Sequence, residues 1–68
     1  MSMDLVKDML AEANGRAVIA FLHACGGEAE IHARDFELDP GDCSRAVRRL
    51  HKRGRIVRIG DCRWRLVQ

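Results

Sequence analysis

The residues best equipped for chemistry in this 68-residue chain are its cations, and they are unevenly spread. From Cys43 to the last residue there are nine Lys or Arg against a single acid, Asp61, a net charge of +8. Residues 1–30 hold two basic and five acidic groups, so the overall +2 hides a strong division. Guanidinium groups pair bidentately with phosphate oxygens and with guanine edges in a DNA major groove. Charge gathered on one part of a chain in this way points to a polyanionic partner.

Other chemistries find less material. Cys25, Cys43 and Cys62 are odd in number and each sits within an apolar pattern, which predicts free, buried thiols. A metal site would have to use His23, Cys25, His51 and Cys62. No pair of these has the C-x₂-C or H-x₃-H spacing of a zinc site, so no metal and no cofactor are expected. No Ser/His/Asp set, paired-carboxylate site or phosphate-cradling glycine loop is present, which argues against an enzyme and a small-molecule substrate. No apolar run approaches the ~20 residues of a membrane span, and Met1-Ser2-Met3-Asp4 does not open a signal peptide. The expected setting is cytoplasmic.

The elements that must carry the cations follow from periodicity and punctuation. Residues 4–13 repeat apolar groups at 5, 6, 9, 10 and 13, one helical face. Asn14-Gly15 can end that helix or mark a weak point within a longer one. Residues 16–25 continue as core scaffold with Val18, Phe21, Leu22 and Cys25 on one face, and Gly26-Gly27 stops them. A short extended piece at Glu30-Ile31-His32 precedes a second helix over 33–38, with Ala33 and Phe36 turned inward. Asp39 then caps a third helix that has Pro40 in its first turn and Asp42 near its positive end. This helix runs to Arg53, buries Cys43, Ala46, Val47 and Leu50, and closes at Gly54. Strands over 55–59 and 62–66 flank Gly60-Asp61, a pair suited to a two-residue hairpin turn. That register sets Ile59 against Cys62, Arg58 against Arg63, Val57 against Trp64 and Ile56 against Arg65. It places Val57, Ile59, Cys62, Trp64 and Leu66 on the core face.

Three segments in this order resemble the winged helix-turn-helix superfamily, in the style of small MarR-type bacterial or phage regulators. Ala33-Arg34-Asp35-Phe36 resembles the family's T-x-x-D-L-A segment. Asp39-Pro40, followed by Cys43-Ser44-Arg45-Ala46-Val47 and Leu50, resembles its S-P-S-T-V-S-R-A-L-x-x-L reading helix. Lys52-Arg53-Gly54-Arg55-Ile56-Val57-Arg58 resembles the x-x-G-L-V-x-R approach to the wing. The resemblance implies an α+β winged helix-turn-helix fold with a three-helix core, a short C-terminal β-hairpin wing and an extra N-terminal helical segment. The chain would divide into that segment, 1–14, a candidate dimerisation element, and a winged-helix domain, 15–68. The sequence departs from the family in having almost no wing loop and no effector or catalytic domain.

The resemblance also implies double-stranded DNA binding and a role as a small transcriptional regulator, with the third helix in the major groove. Ser44, Arg45 and Arg48, early on its exposed face, would read bases; Arg49, Lys52 and Arg53 would meet phosphates. Gly41 would let the backbone approach closely. Arg58, Arg63 and Arg65 of the wing would extend the phosphate contact. An ordinary solvated helix face is the plain alternative. Against it, only Asp42 stands at i±3 or i±4 spacing from the helix cations, and the expected hairpin sets like charges opposite one another. Trp64 can stack on a base or pack in the core, and its predicted face favours the core. Two further readings remain: a protein-interaction or assembly module that does not touch DNA, and a binder of Z-form nucleic acid. The second lacks the Asn, Tyr and wing-proline pattern of that group, since Ser44 and Arg48 stand at the corresponding helix positions. The apolar face of residues 4–13 covers the chain's own core or meets a second copy, as in a symmetric dimer.

Overall fold

Asp39-Pro40 punctuates the chain as its residue types require. Asp39 is extended (φ −62°, ψ 142°), and its carboxylate Oδ2 accepts the Gly41 N–H at 2.9 Å. From there a 13-residue helix runs over Pro40–Lys52, burying Cys43, Ala46, Val47 and Leu50 as a single stripe. In the computed structural model, which describes residues 3–68, it is the second of two α-helices. The elements are α1 (Met3–Ala24), β1 (Glu28–Glu30), a 3-10 turn (Ala33–Phe36), α2 (Pro40–Lys52), β2 (Ile56–Gly60) and β3 (Arg63–Leu66). Met1 and Ser2, at the start of the segment expected over 1–14, lie outside the described residues.

The expected winged helix-turn-helix with a three-helix core is not what forms. Between β1 and α2 the chain makes only the four-residue 3-10 turn, which Glu37 closes in the left-handed conformation (φ 55°). The Leu38 N–H donates to the Ala33 carbonyl at 3.0 Å across that turn. A left-handed residue cannot propagate a right-handed helix, and Pro40 holds the residue before it extended. The described residues therefore give two α-helices and a three-stranded antiparallel sheet, ordered β1-β3-β2.

Helix α1 does not stop at Asn14-Gly15; it continues for 22 residues. Gly15 is buried, and its hydrogen surface faces Leu50 of α2, so a packing contact accounts for this glycine better than a helix end does. Ala11, Val18 and Leu22 complete the buried stripe. Of the two roles open to the apolar face of residues 4–13, Met9 and Leu10 do not cover the chain's own core, being 59% and 53% exposed.

The hairpin also differs from expectation. Its two-residue turn is Asp61-Cys62, with Cys62 left-handed (φ 56°), and the ladder is irregular between Arg58 and Gly60. Ile56 then opposes Leu66, Val57 opposes Arg65, Arg58 opposes Trp64, and Gly60 opposes Arg63. A one-residue shift of β2 against β3 moves the β2 side chains to the other face, while Trp64 and Leu66 of β3 stay against the core. Ile56 consequently becomes the fully buried strand residue, while Val57 and Ile59 are exposed. Strand β1 sits on the other edge of β3 and sets Glu28 and Glu30 across from Arg65 and Arg63. Val18, Leu22, Ile31, Cys43, Val47, Leu50 and Ile56 form one core between the helices and the sheet, with Trp64 and Leu66 packed against it.

Candidate nucleic-acid interface

Because α2 buries every third or fourth residue from Cys43 to Leu50, its remaining positions project a ridge that carries Ser44, Arg45, Arg48 and Lys52, all exposed. Arg48 and Lys52 make no ion pair or side-chain hydrogen bond among the described residues. Arg45 is drawn back along the helix to Asp42, with Nη1 3.2 Å from Oδ1. Arg53 follows the helix as its C-cap and is exposed.

Arg49 has a different place from the one expected. It is half-buried against α1, with Nη1 donating to Asp8 Oδ1 at 3.5 Å, while its buried Nε meets no acceptor. Asp8 is 41 residues away in sequence, so i±4 spacing gave no sign of this partner. Gly41 serves the helix cap, since a Cβ there would lie 3.0 Å from Asp39 Oδ2.

The strand arginines part company. Arg58 shares the inner face with Trp64 and bends toward the turn, where Nε donates to the Gly60 carbonyl at 3.1 Å and Nη2 lies 3.4 Å from Asp61 Oδ1. Arg63 and Arg65 alternate with Trp64 and so occupy the outer face. There Arg63 Nε lies 3.5 Å from Glu28 Oε2. The expected Arg58–Arg63 opposition does not occur, and Arg63 and Arg65 do not join the α2 ridge.

Two recesses flank the ridge. On the sheet side lies a groove of about 530 Å³ between α2 and the inner face of the hairpin. Ile31, Val47 and Trp64 line it together with Ser44, Arg48 and Arg58, and no carboxylate contributes to its wall. His32 and His51 also border it, and the His51 ring meets Trp64 edge-on at 5.2 Å between centroids. Trp64 is thus half-buried at a groove wall rather than enclosed in the core. On the α1 side lies a cleft of about 310 Å³, where Arg16, Arg49, Arg53 and Arg55 surround one acid, Glu12. Arg16 and Arg55 had no place in the sequence-based set. They join it only because Gly15 brings α1 onto Leu50, a tertiary contact with no local signal.

The cysteines divide as well. Cys43 is buried, but Cys25 and Cys62 are exposed rather than packed. Burial first, and the nearby Asp35 carboxylate second, push the Cys43 thiol above its ordinary range. Among the described residues no three His, Cys, Asp or Glu side chains gather in a position to hold a metal ion. No helix there is long and apolar enough to cross a membrane. No protein-family model, curated protein or solved structure matches the chain.

The site is therefore a cationic ridge with a carboxylate-free groove on one side and a four-arginine cleft on the other. Such a surface offers point charges and guanidinium forks to phosphates, with Ser44 and Arg48 at the boundary between ridge and groove.

Proposed function

We propose that this chain binds double-stranded DNA, with the exposed face of α2 lying in the major groove. The observation that carries this reading is the pair of unengaged cations, Arg48 and Lys52, on a ridge bordered by recesses rich in arginine, where, among the described residues, Glu12 and Asp8 are the only acids in the walls. A helix of 13 residues is about 20 Å long at ~1.5 Å per residue, enough to follow the groove across several base pairs. Ser44 and Arg48 take the base-reading role. Arg45 joins them once phosphate competes with Asp42 for its guanidinium. Lys52, Arg53 and the cleft residues Arg16 and Arg55 meet the backbone on one side, and Arg58 meets it on the other. Arg49 positions α2 against α1, and Arg63 and Arg65 stay outside the contact.

A salt titration tests this. Neutralising about five phosphates gives a log–log slope of affinity against salt of roughly −4.5, at ~0.9 per phosphate. Fluorescence anisotropy with a labelled random duplex measures it. A slope near zero, or an affinity unchanged in Arg48→Ala, refutes the reading.

A further inference from the structure

The groove between α2 and the hairpin suits a different part of a nucleic acid from the ridge beside it. Ser44, Arg48 and His51 follow one another along α2 at spacings of four and three, so one side of the helix carries all three into the groove wall. The opposite wall is the inner face of the sheet. There Arg58 and Trp64 are direct cross-strand partners, which sets their side chains next to each other. Ile31 and Val47, both buried, make the floor apolar. The groove thus has a cation on each wall and an indole that meets an imidazole edge-on at 5.2 Å. No carboxylate lines it among the described residues.

Each of these components fits one part of a nucleotide. An aromatic ring stacks on a base of any identity, and a guanidinium beside it holds the adjoining phosphate. The volume of about 530 Å³ is that of a small-ligand site, which holds a base with its sugar. A paired base cannot use the indole, because its neighbours in the stack cover its faces and only its edges reach the grooves. An unpaired base has a face to offer. Arg58 is free to turn to a phosphate: its side chain is 59% exposed, and its carboxylate partner, Asp61 at 3.4 Å, stands fully in solvent, where such a pair is weak.

We infer that this groove binds an unpaired nucleotide of a DNA strand, with the base stacked on Trp64 and its phosphate on Arg58. Arg48 stands at the lip between ridge and groove, where the strand leaves the duplex. The target is then a duplex that continues into a single-stranded extension. This placement rests on α2 lying along duplex DNA.

Trp64 is the chain's single tryptophan, so its fluorescence reports on the groove directly. The probes are one duplex in blunt form, with a short thymidine extension, and with the same extension made abasic. The thymidine extension should quench Trp64 and tighten binding, read by anisotropy, about 5- to 100-fold over the blunt duplex. The abasic extension offers phosphates alone, so it should leave the fluorescence as the blunt duplex does and lose most of the gain. Trp64→Phe should keep most of the gain. Trp64→Leu, apolar against the core but without a ring, should lose it while binding the blunt duplex as the wild type does. Cys62, exposed at the groove, should react with iodoacetamide more slowly in the thymidine complex than in the blunt one, with Cys25 equal in both. Equal affinity and fluorescence for the thymidine and abasic extensions overturn the inference and leave duplex binding standing. Failure to bind any of the probes overturns both. Equal quenching by free thymidine monophosphate at the same concentration overturns the assignment to a DNA strand.

Discussion

Gly15→Ala should stabilise this protein, although the glycine is buried in a helix–helix contact. A glycine inside a helix costs about 0.8–1.0 kcal/mol relative to alanine. The space at Gly15 is sufficient: a Cβ there would lie 3.5, 3.6 and 3.8 Å from three carbons of Leu50, ordinary van der Waals separations. Each such contact adds about 0.1–0.2 kcal/mol, so the sum is roughly 1–1.5 kcal/mol of stabilisation. For a domain of this size that corresponds to a rise in Tm of about 4–10 °C. Thermal denaturation followed at 222 nm, with both proteins at the same low micromolar concentration, measures it. A fall in Tm would mean that α1 and α2 approach more closely than a methyl group allows. The orientation of the basic ridge, which this contact sets, would then be misassigned.

Other consequences follow from single residues. Cys62 holds a left-handed conformation that glycine adopts freely, so Cys62→Gly should raise stability by about 0.5–1 kcal/mol in urea denaturation. Cys25 and Cys62 should react rapidly with a thiol reagent such as DTNB, while buried Cys43 reacts only as the protein unfolds. The Cys43 thiol is raised in the folded state, so its protonated form is favoured there. Stability should be level below the unfolded thiol's range and fall as pH rises through it, and Cys43→Ala should lose this alkaline decline. Arg49→Met should leave stability within about 1 kcal/mol, since the exposed Asp8 pair contributes little and a buried, unpartnered Nε is removed. It should weaken DNA binding far less than Arg48→Ala, and equal losses would contradict its positioning role.

Local chemistry made α2 legible in the sequence. Asp39, Pro40 and Gly54 fixed its ends, and the spacing of Cys43, Ala46, Val47 and Leu50 fixed its buried side. Position along the chain could not show what tertiary contacts decide. Gly15 looks like a helix stop until Leu50 is placed against it. The hairpin register turned on one residue: a turn at Gly60-Asp61 and a turn at Asp61-Cys62 are both plausible locally, and they expose opposite faces of β2. The third strand did have a signal, because Glu28 and Glu30 alternate as Arg63 and Arg65 do and can lie across from them. At the site, the exposed ridge residues Ser44, Arg48 and Lys52 could be read from helical spacing. The capture of Arg49 by Asp8, of Arg63 by Glu28 and of Arg58 by its own turn could not.

The salt dependence of binding to duplex DNA, compared between wild type and an Arg48→Ala, Lys52→Ala double variant, tests the central claim most directly. Two exposed, unengaged cations are lost in that variant, and neither contributes to the buried core. The wild type should show a log–log slope of about −4.5, and the variant should lose the phosphate contact of Lys52 together with the base contact of Arg48, giving weaker binding and a slope near −3.6 at ~0.9 per phosphate. An Arg63→Ala, Arg65→Ala variant should match the wild type. Equal slopes for the wild type and the α2 variant, or a loss confined to the Arg63 and Arg65 variant, would contradict binding through α2.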